Sequence, residues 1–77
     1  MNHSELIVNR MYEYMREQNI TLNRLADLSG ITASTLSNIV NRNSVPKADT
    51  LYKICIGLNI SLTEFFNFPP YNEVKKD

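Results

Sequence analysis

An all-α fold of five short helices is predicted for this chain, on three observations. Apolar residues recur at helical three- and four-residue spacing in successive short windows. A Ser, Thr or Asn suited to cap a helix start precedes most of these windows. Residues that tolerate left-handed backbone, Asn19, Gly30 and Asn59, follow several of them. The 77 residues make one domain, near the lower size at which a core alone sustains a fold.

The first helix is predicted over about Ser4 to Gln18, capped by Asn2 or Ser4, with Glu5 at the positive end of its dipole. Ile7, Met11, Tyr14 and Met15 form its apolar stripe, with Val8 on the flank; Glu13, Arg16 and Glu17 fall outside. Asn19 interrupts the pattern. Ile20 then precedes a capping hydroxyl, Thr21, and is placed to staple onto Leu25. The second helix runs from Leu22 to about Leu28 and buries Leu22, Leu25 and Ala26. Ala26 is small enough for a second helix to cross closely. Gly30 turns the chain, Ile31 packs inward, and Thr32 caps a third helix over Ala33 to Asn41. Two short helices meeting at such a corner constitute a helix-turn-helix.

At about 100° per residue, Ile39 and Val40 fall within about 60° of Leu36 and define the buried side of the third helix. Ser34, Asn38 and Asn41 lie opposite, Ser37 beside them, and Thr35 and Arg42 on the other edge. The exposed face is short and uncharged, with a cation at its end. A loop, Asn41 to Ser44, is closed by Pro46. Leu51, Ile54, Cys55 and Leu58 form the stripe of a fourth helix. Ser61 and Glu64 make a capping box for a short fifth helix carrying Leu62, Phe65 and Phe66, which Pro69-Pro70 stops. The domain is expected over residues 1–68, with 69–77 a flexible polar tail.

Composition narrows the function. The formal net charge is zero, which does not itself favour a nucleic-acid partner, but no carboxylate occurs between Leu28 and Ala48, where Arg42 and Lys47 lie. Cys55 is the single cysteine and His3 the single histidine, so no disulfide within the chain and no zinc cluster is expected. Cys55 reads as a buried packing residue and His3 as part of a mobile N-terminus. No acid–base pair, activated nucleophile or metal cluster is visible, so no enzyme, no metal and no cofactor is expected. No apolar run approaches the roughly 20 residues that span a bilayer, and the N-terminus lacks a signal-peptide pattern; the expected location is cytoplasmic.

Ile20-Thr21, Leu25-Ala26, Gly30-Ile31, Ser34-Thr35-Leu36 and Ile39, continued by Pro46, Thr50-Leu51, Ile54, Gly57-Leu58, Ser61-Leu62 and Glu64-Phe65-Phe66, carry a family resemblance. The chain resembles the lambda-repressor/Cro-type helix-turn-helix (Xre-like) regulators from about Ile7 to Phe66. The resemblance implies a compact five-helix DNA-binding domain with its helix-turn-helix in helices 2 and 3. Two departures stand out. Family members often carry Arg near the end of helix 1 and Glu near the end of helix 3, commonly as an ion pair. Met15 and Val40 occupy these positions here, and a hydrophobic contact between them is expected instead. Family members also frequently carry long Gln or Arg side chains where this chain has Ala33 and Ser34.

The resemblance implies a sequence-specific DNA-binding transcriptional regulator of repressor type, with Ala33 to Asn41 in the major groove. Base contacts are expected from Ala33, Ser34, Ser37 and Asn38. The Asn38 amide matches the N6 and N7 pair of adenine, and an Ala33 or Thr35 methyl suits a thymine methyl, so A·T-containing half-sites are favoured. Phosphate contacts are expected from Thr21, Asn23, Thr32, Thr35, Asn41, Arg42, Asn43 and Lys47. A domain of this size binds weakly alone, so a homodimer on double-stranded DNA is expected, joined through Phe65, Phe66 and Phe68, with no membrane and no small-molecule ligand; Phe65 and Phe66 equally suit the end of the core, and Phe68 is the better interface candidate. With no room for an effector domain, control falls to abundance, proteolysis or a partner. The alternative is a helical protein-interaction module, antitoxin-like or anti-repressor, that keeps the fold without reading DNA.

Overall fold

A computed structural model describes residues 2–42 and 44–74. Its helices are α1 (His3–Gln18), α2 (Leu22–Ser29), α3 (Ala33–Asn41), α4 (Ala48–Gly57) and α5 (Leu62–Phe65). The all-α architecture and the order of elements are those expected.

Local chemistry sets most helix ends. Asn2, not Ser4, caps α1: its Oδ1 accepts the Glu5 N–H at 2.9 Å. Asn19 takes left-handed backbone, φ 56°, and its N–H returns to the Arg16 carbonyl. Thr21 caps α2 through the Arg24 N–H, and Gly30, φ 70°, ends it. Gly30 is the corner of the helix-turn-helix; a Cβ there would meet no neighbour, so the backbone angle is what demands glycine. At α5, Ser61 Oγ accepts the Glu64 N–H at 3.0 Å, which is the first half of the expected capping box. The helix ends at Phe65, ahead of the two prolines.

One core joins all five helices. Ile7, Met11 and Met15 from α1, Leu25 and Ala26 from α2, and Leu36 and Ile39 from α3 are buried together. Leu51, Ile54, Cys55 and Phe65 from α4 and α5, with Leu58 just beyond α4, complete the same cluster. Ile20, Leu22, Ile31 and Val40 close its edges. Met15 and Val40, the positions where family members often hold an ion pair, thus both serve the apolar interior. α2 packs on both α3 and α4, α4 on α5, and α1 on α3. The α2–α4 crossing is close because Gly57 lies against Ser29 and Leu25. Burial pushes the Cys55 thiol up to about 11, which keeps it protonated and inert at neutral pH.

Both chain ends make contacts that their polar sequence did not announce. Just after Phe68 the chain folds back: Tyr71 packs edge-on against Phe66 and Phe68, with ring centroids 4.8 and 5.2 Å away. Tyr71 thus packs with the domain. Nor is His3 a loose terminal residue, since it begins α1 and its Nδ1 pairs with the Tyr71 hydroxyl at 2.6 Å. The polar look of the tail hid a tyrosine with aromatic partners to meet.

Arg10 ties α5 to α1, a role the helical periodicity gave no sign of. Its Nε donates to the Phe65 carbonyl at 2.8 Å and its Nη2 to the Glu64 carbonyl at 2.9 Å. The guanidinium also lies over the Tyr14 and Phe68 rings, 4.8 and 5.1 Å from their centroids. The planar fork of donors reaches the Phe65 carbonyl, which the short helix leaves open at its C-terminal end, and adds a second donor to the Glu64 carbonyl beside the Asn67 N–H.

Candidate nucleic-acid interface

The first turns of α2 and α3 build one polar surface. At α2, Thr21 and Asn23 are exposed, and Thr21 Oγ1 takes the Arg24 N–H at 3.1 Å. Among the described residues no hydrogen-bond partner satisfies the Leu22 and Asn23 amides, so two donors remain at the positive end of the helix dipole. At α3, Thr32 Oγ1 accepts the Thr35 N–H at 3.0 Å, and the two hydroxyls pair at 2.8 Å. That pair holds two hydroxyl oxygens at a helix start and leaves one O–H proton over, whichever of the two donates.

The outer face of α3 follows the expected wheel. Leu36 and Ile39 are buried, while Ala33, Ser34, Thr35, Asn38 and Asn41 are exposed and Ser37 is half-buried. Ser37 and Asn41, expected to act separately on base and phosphate, are joined: Asn41 Nδ2 donates to Ser37 Oγ at 2.9 Å. Asn38 makes no side-chain hydrogen bond among the described residues. Its amide keeps both a donor and an acceptor for an outside partner.

Beyond α3 the chain turns at Arg42 and reaches α4 through Pro46 and Lys47, with Arg42 and Lys47 exposed. Asn43, also expected at phosphate, lies outside the described residues. A cleft of about 290 Å³ separates α3 from this loop, lined by Thr35, Asn38 and Ile39 on one side and Ser44, Val45, Pro46, Lys47 and Thr50 on the other. The structure thus brings Thr35, Asn38 and Lys47 together at one cleft.

Two residues of this surface escaped the sequence reading. Arg24 is exposed in the first turn of α2. A cation there opposes the helix dipole, so helix stability does not account for it, and that mismatch was a usable signal. Val45 is 57% exposed, an apolar side chain beside Lys47. Its position before Pro46 read only as extended backbone.

Phe65 leaves the expected dimer surface: at 0% exposure it finishes the core and has nothing to offer a partner. Phe66 and Phe68 remain half-buried.

The helix-turn-helix family profile matches residues 11–65, and the chain belongs to that family, in its lambda-repressor/Cro-type form. The chain is 37% identical over 60 residues to the HTH-type transcriptional regulator PuuR of Escherichia coli K12, covering 78% of this chain and 32% of that protein. It is 28% identical over 68 residues to the HTH-type transcriptional regulator SutR of the same strain, covering 88% of this chain and 38% of that one. The chain thus spans about a third of the length of these curated relatives. The crystal structure of prophage Lp1 protein 11 superposes with a TM-score of 0.85 at 39% identity, covering 95% of this chain and 97% of that one.

Proposed function

We propose that this protein is a sequence-specific DNA-binding transcriptional regulator that acts as a repressor, with α3 seated in the major groove. The observation that carries the reading is Asn38: an uncommitted amide at the centre of the exposed face of α3, within a stretch that lacks carboxylates from Leu28 to Ala48. Asn38, Ser34, Ala33 and the Ser37–Asn41 pair read bases. Thr21, Asn23, Thr32, Thr35, Arg42, Asn43 and Lys47, joined by Arg24, hold phosphates. The protein is a homodimer on a pseudo-palindromic site, paired through the surface around Phe66 and Phe68. It works in the cytoplasm without catalytic activity; no helix among the described residues is long and apolar enough to cross a membrane.

Selection of bound sequences from random duplex DNA tests this. The wild-type protein enriches a motif with two A·T-containing half-sites. Its affinity for that motif falls with salt along a shallow log–log slope, about two to four per monomer, because few cations face the DNA. Failure to enrich any motif at low salt sinks the proposal and leaves the protein-interaction reading in its place.

A further inference from the structure

We infer that Val45 is a specificity-determining residue that packs on the C5 methyl group of a thymine, in or beside the base pair read by Asn38. The inference rests on the proposed insertion of α3 into the major groove and extends it to a residue outside the helix.

Val45 is 57% exposed and stands apart from the buried cluster that every helix contributes to, so its side chain adds little to folding. It lines the cleft beside α3 together with Thr35, Asn38 and Lys47. An apolar tip beside an uncommitted amide and a cation suits a partner that is apolar at one spot and anionic around it. Duplex DNA has this combination. The thymine methyl is the one apolar group on a base edge in the major groove, and phosphates flank it on both strands. An Asn38 amide bonded to adenine N6 and N7 places the paired thymine, with its methyl, in the same groove. The cation at Lys47 and the absence of carboxylates from Leu28 to Ala48 suit that partner better than an apolar protein surface. Val45 also reaches the rim of a larger apolar groove beside His3, Ile7, Phe66 and Tyr71. A second copy of this chain seated there is the competing occupant.

The test exchanges thymine for uracil, which removes only the methyl, one position at a time in the selected site. Wild-type protein binds about fourfold more weakly at one thymine per half-site, the equivalent of one buried methylene. Val45→Ala binds the unmodified site weaker by a similar factor and is indifferent to uracil at that position. Val45→Thr, which keeps one methyl and exchanges the other for a hydroxyl, falls between wild type and Val45→Ala in both affinity and sensitivity to uracil. Melting curves and sedimentation of each variant match the wild type. Several results overturn the inference: wild-type binding indifferent to every uracil, Val45→Ala keeping full sensitivity to the methyl, or Val45→Ala shifting the monomer–dimer balance while weakening all DNA alike. Failure of the underlying reading is told apart, because the wild type then selects no site before any base is modified.

Discussion

Gly57→Ala lowers stability by about 1–2 kcal/mol, although alanine is the better helix former. A Cβ at Gly57 falls on Ser29 Oγ and lies 3.0 Å from the Ser29 backbone nitrogen and 3.1 Å from Leu25 Cδ1. The backbone atom cannot swing aside, and Leu25 is fully buried, so α2 must move away from α4. For a domain of this size the thermal midpoint drops by roughly 5–15 °C. Because α2 carries α3, the same displacement weakens DNA binding at temperatures where the variant is still folded. Ser29→Ala alone is neutral or stabilising, since Ser29 Oγ is a buried hydroxyl without a hydrogen-bond partner among the described residues. Combined with Gly57→Ala it recovers part of the loss. A Gly57→Ala protein as stable as the wild type contradicts the close α2–α4 crossing.

Arg10→Met has an effect at least as large, about 2 kcal/mol in urea unfolding. The guanidinium holds two α5 carbonyls and lies over the Tyr14 and Phe68 rings, with 18% of the side chain exposed. Methionine keeps the apolar stem and abandons both carbonyls. Its contact with Glu13, 3.4 Å away on the exposed side, adds little by comparison. Arg10→Lys falls between, because an ammonium cannot present a fork to both acceptors. The order wild type, Lys, Met in midpoint checks the assignment; equal midpoints for Met and wild type refute it.

Much of this architecture was legible in the sequence because it is written in local chemistry. Thr21, Thr32 and Ser61 each cap the helix assigned to them, and Asn19, Gly30 and Asn59 each take left-handed backbone. The burial of Leu36 and Ile39 against the exposure of Ser34 and Asn38 follows from helical spacing alone. What escaped was long-range. Arg10 lies at the edge of the α1 apolar stripe, one turn from Ile7 and Tyr14, and only the arrival of α5 gives it carbonyls to bind. Tyr71 follows two prolines in a polar tail, and its partners, His3, Phe66 and Phe68, meet it only in the folded chain. The bond from Asn41 to Ser37 illustrates a third limit. Spacing put both on one edge of α3 but did not say that they would engage each other.

The measurement closest to the central claim is a comparison of the sites selected from random DNA by wild-type protein and by Asn38→Ala. Asn38 is exposed, so the variant folds as the wild type does, and any change belongs to recognition. A lost bidentate contact removes about 1–3 kcal/mol of discrimination at one base pair. Asn38→Ala loses its preference at one A·T pair in each half-site and keeps the rest of the motif and the half-site spacing. A motif unchanged at every position, or affinity reduced equally for all sequences, contradicts a reading helix at α3.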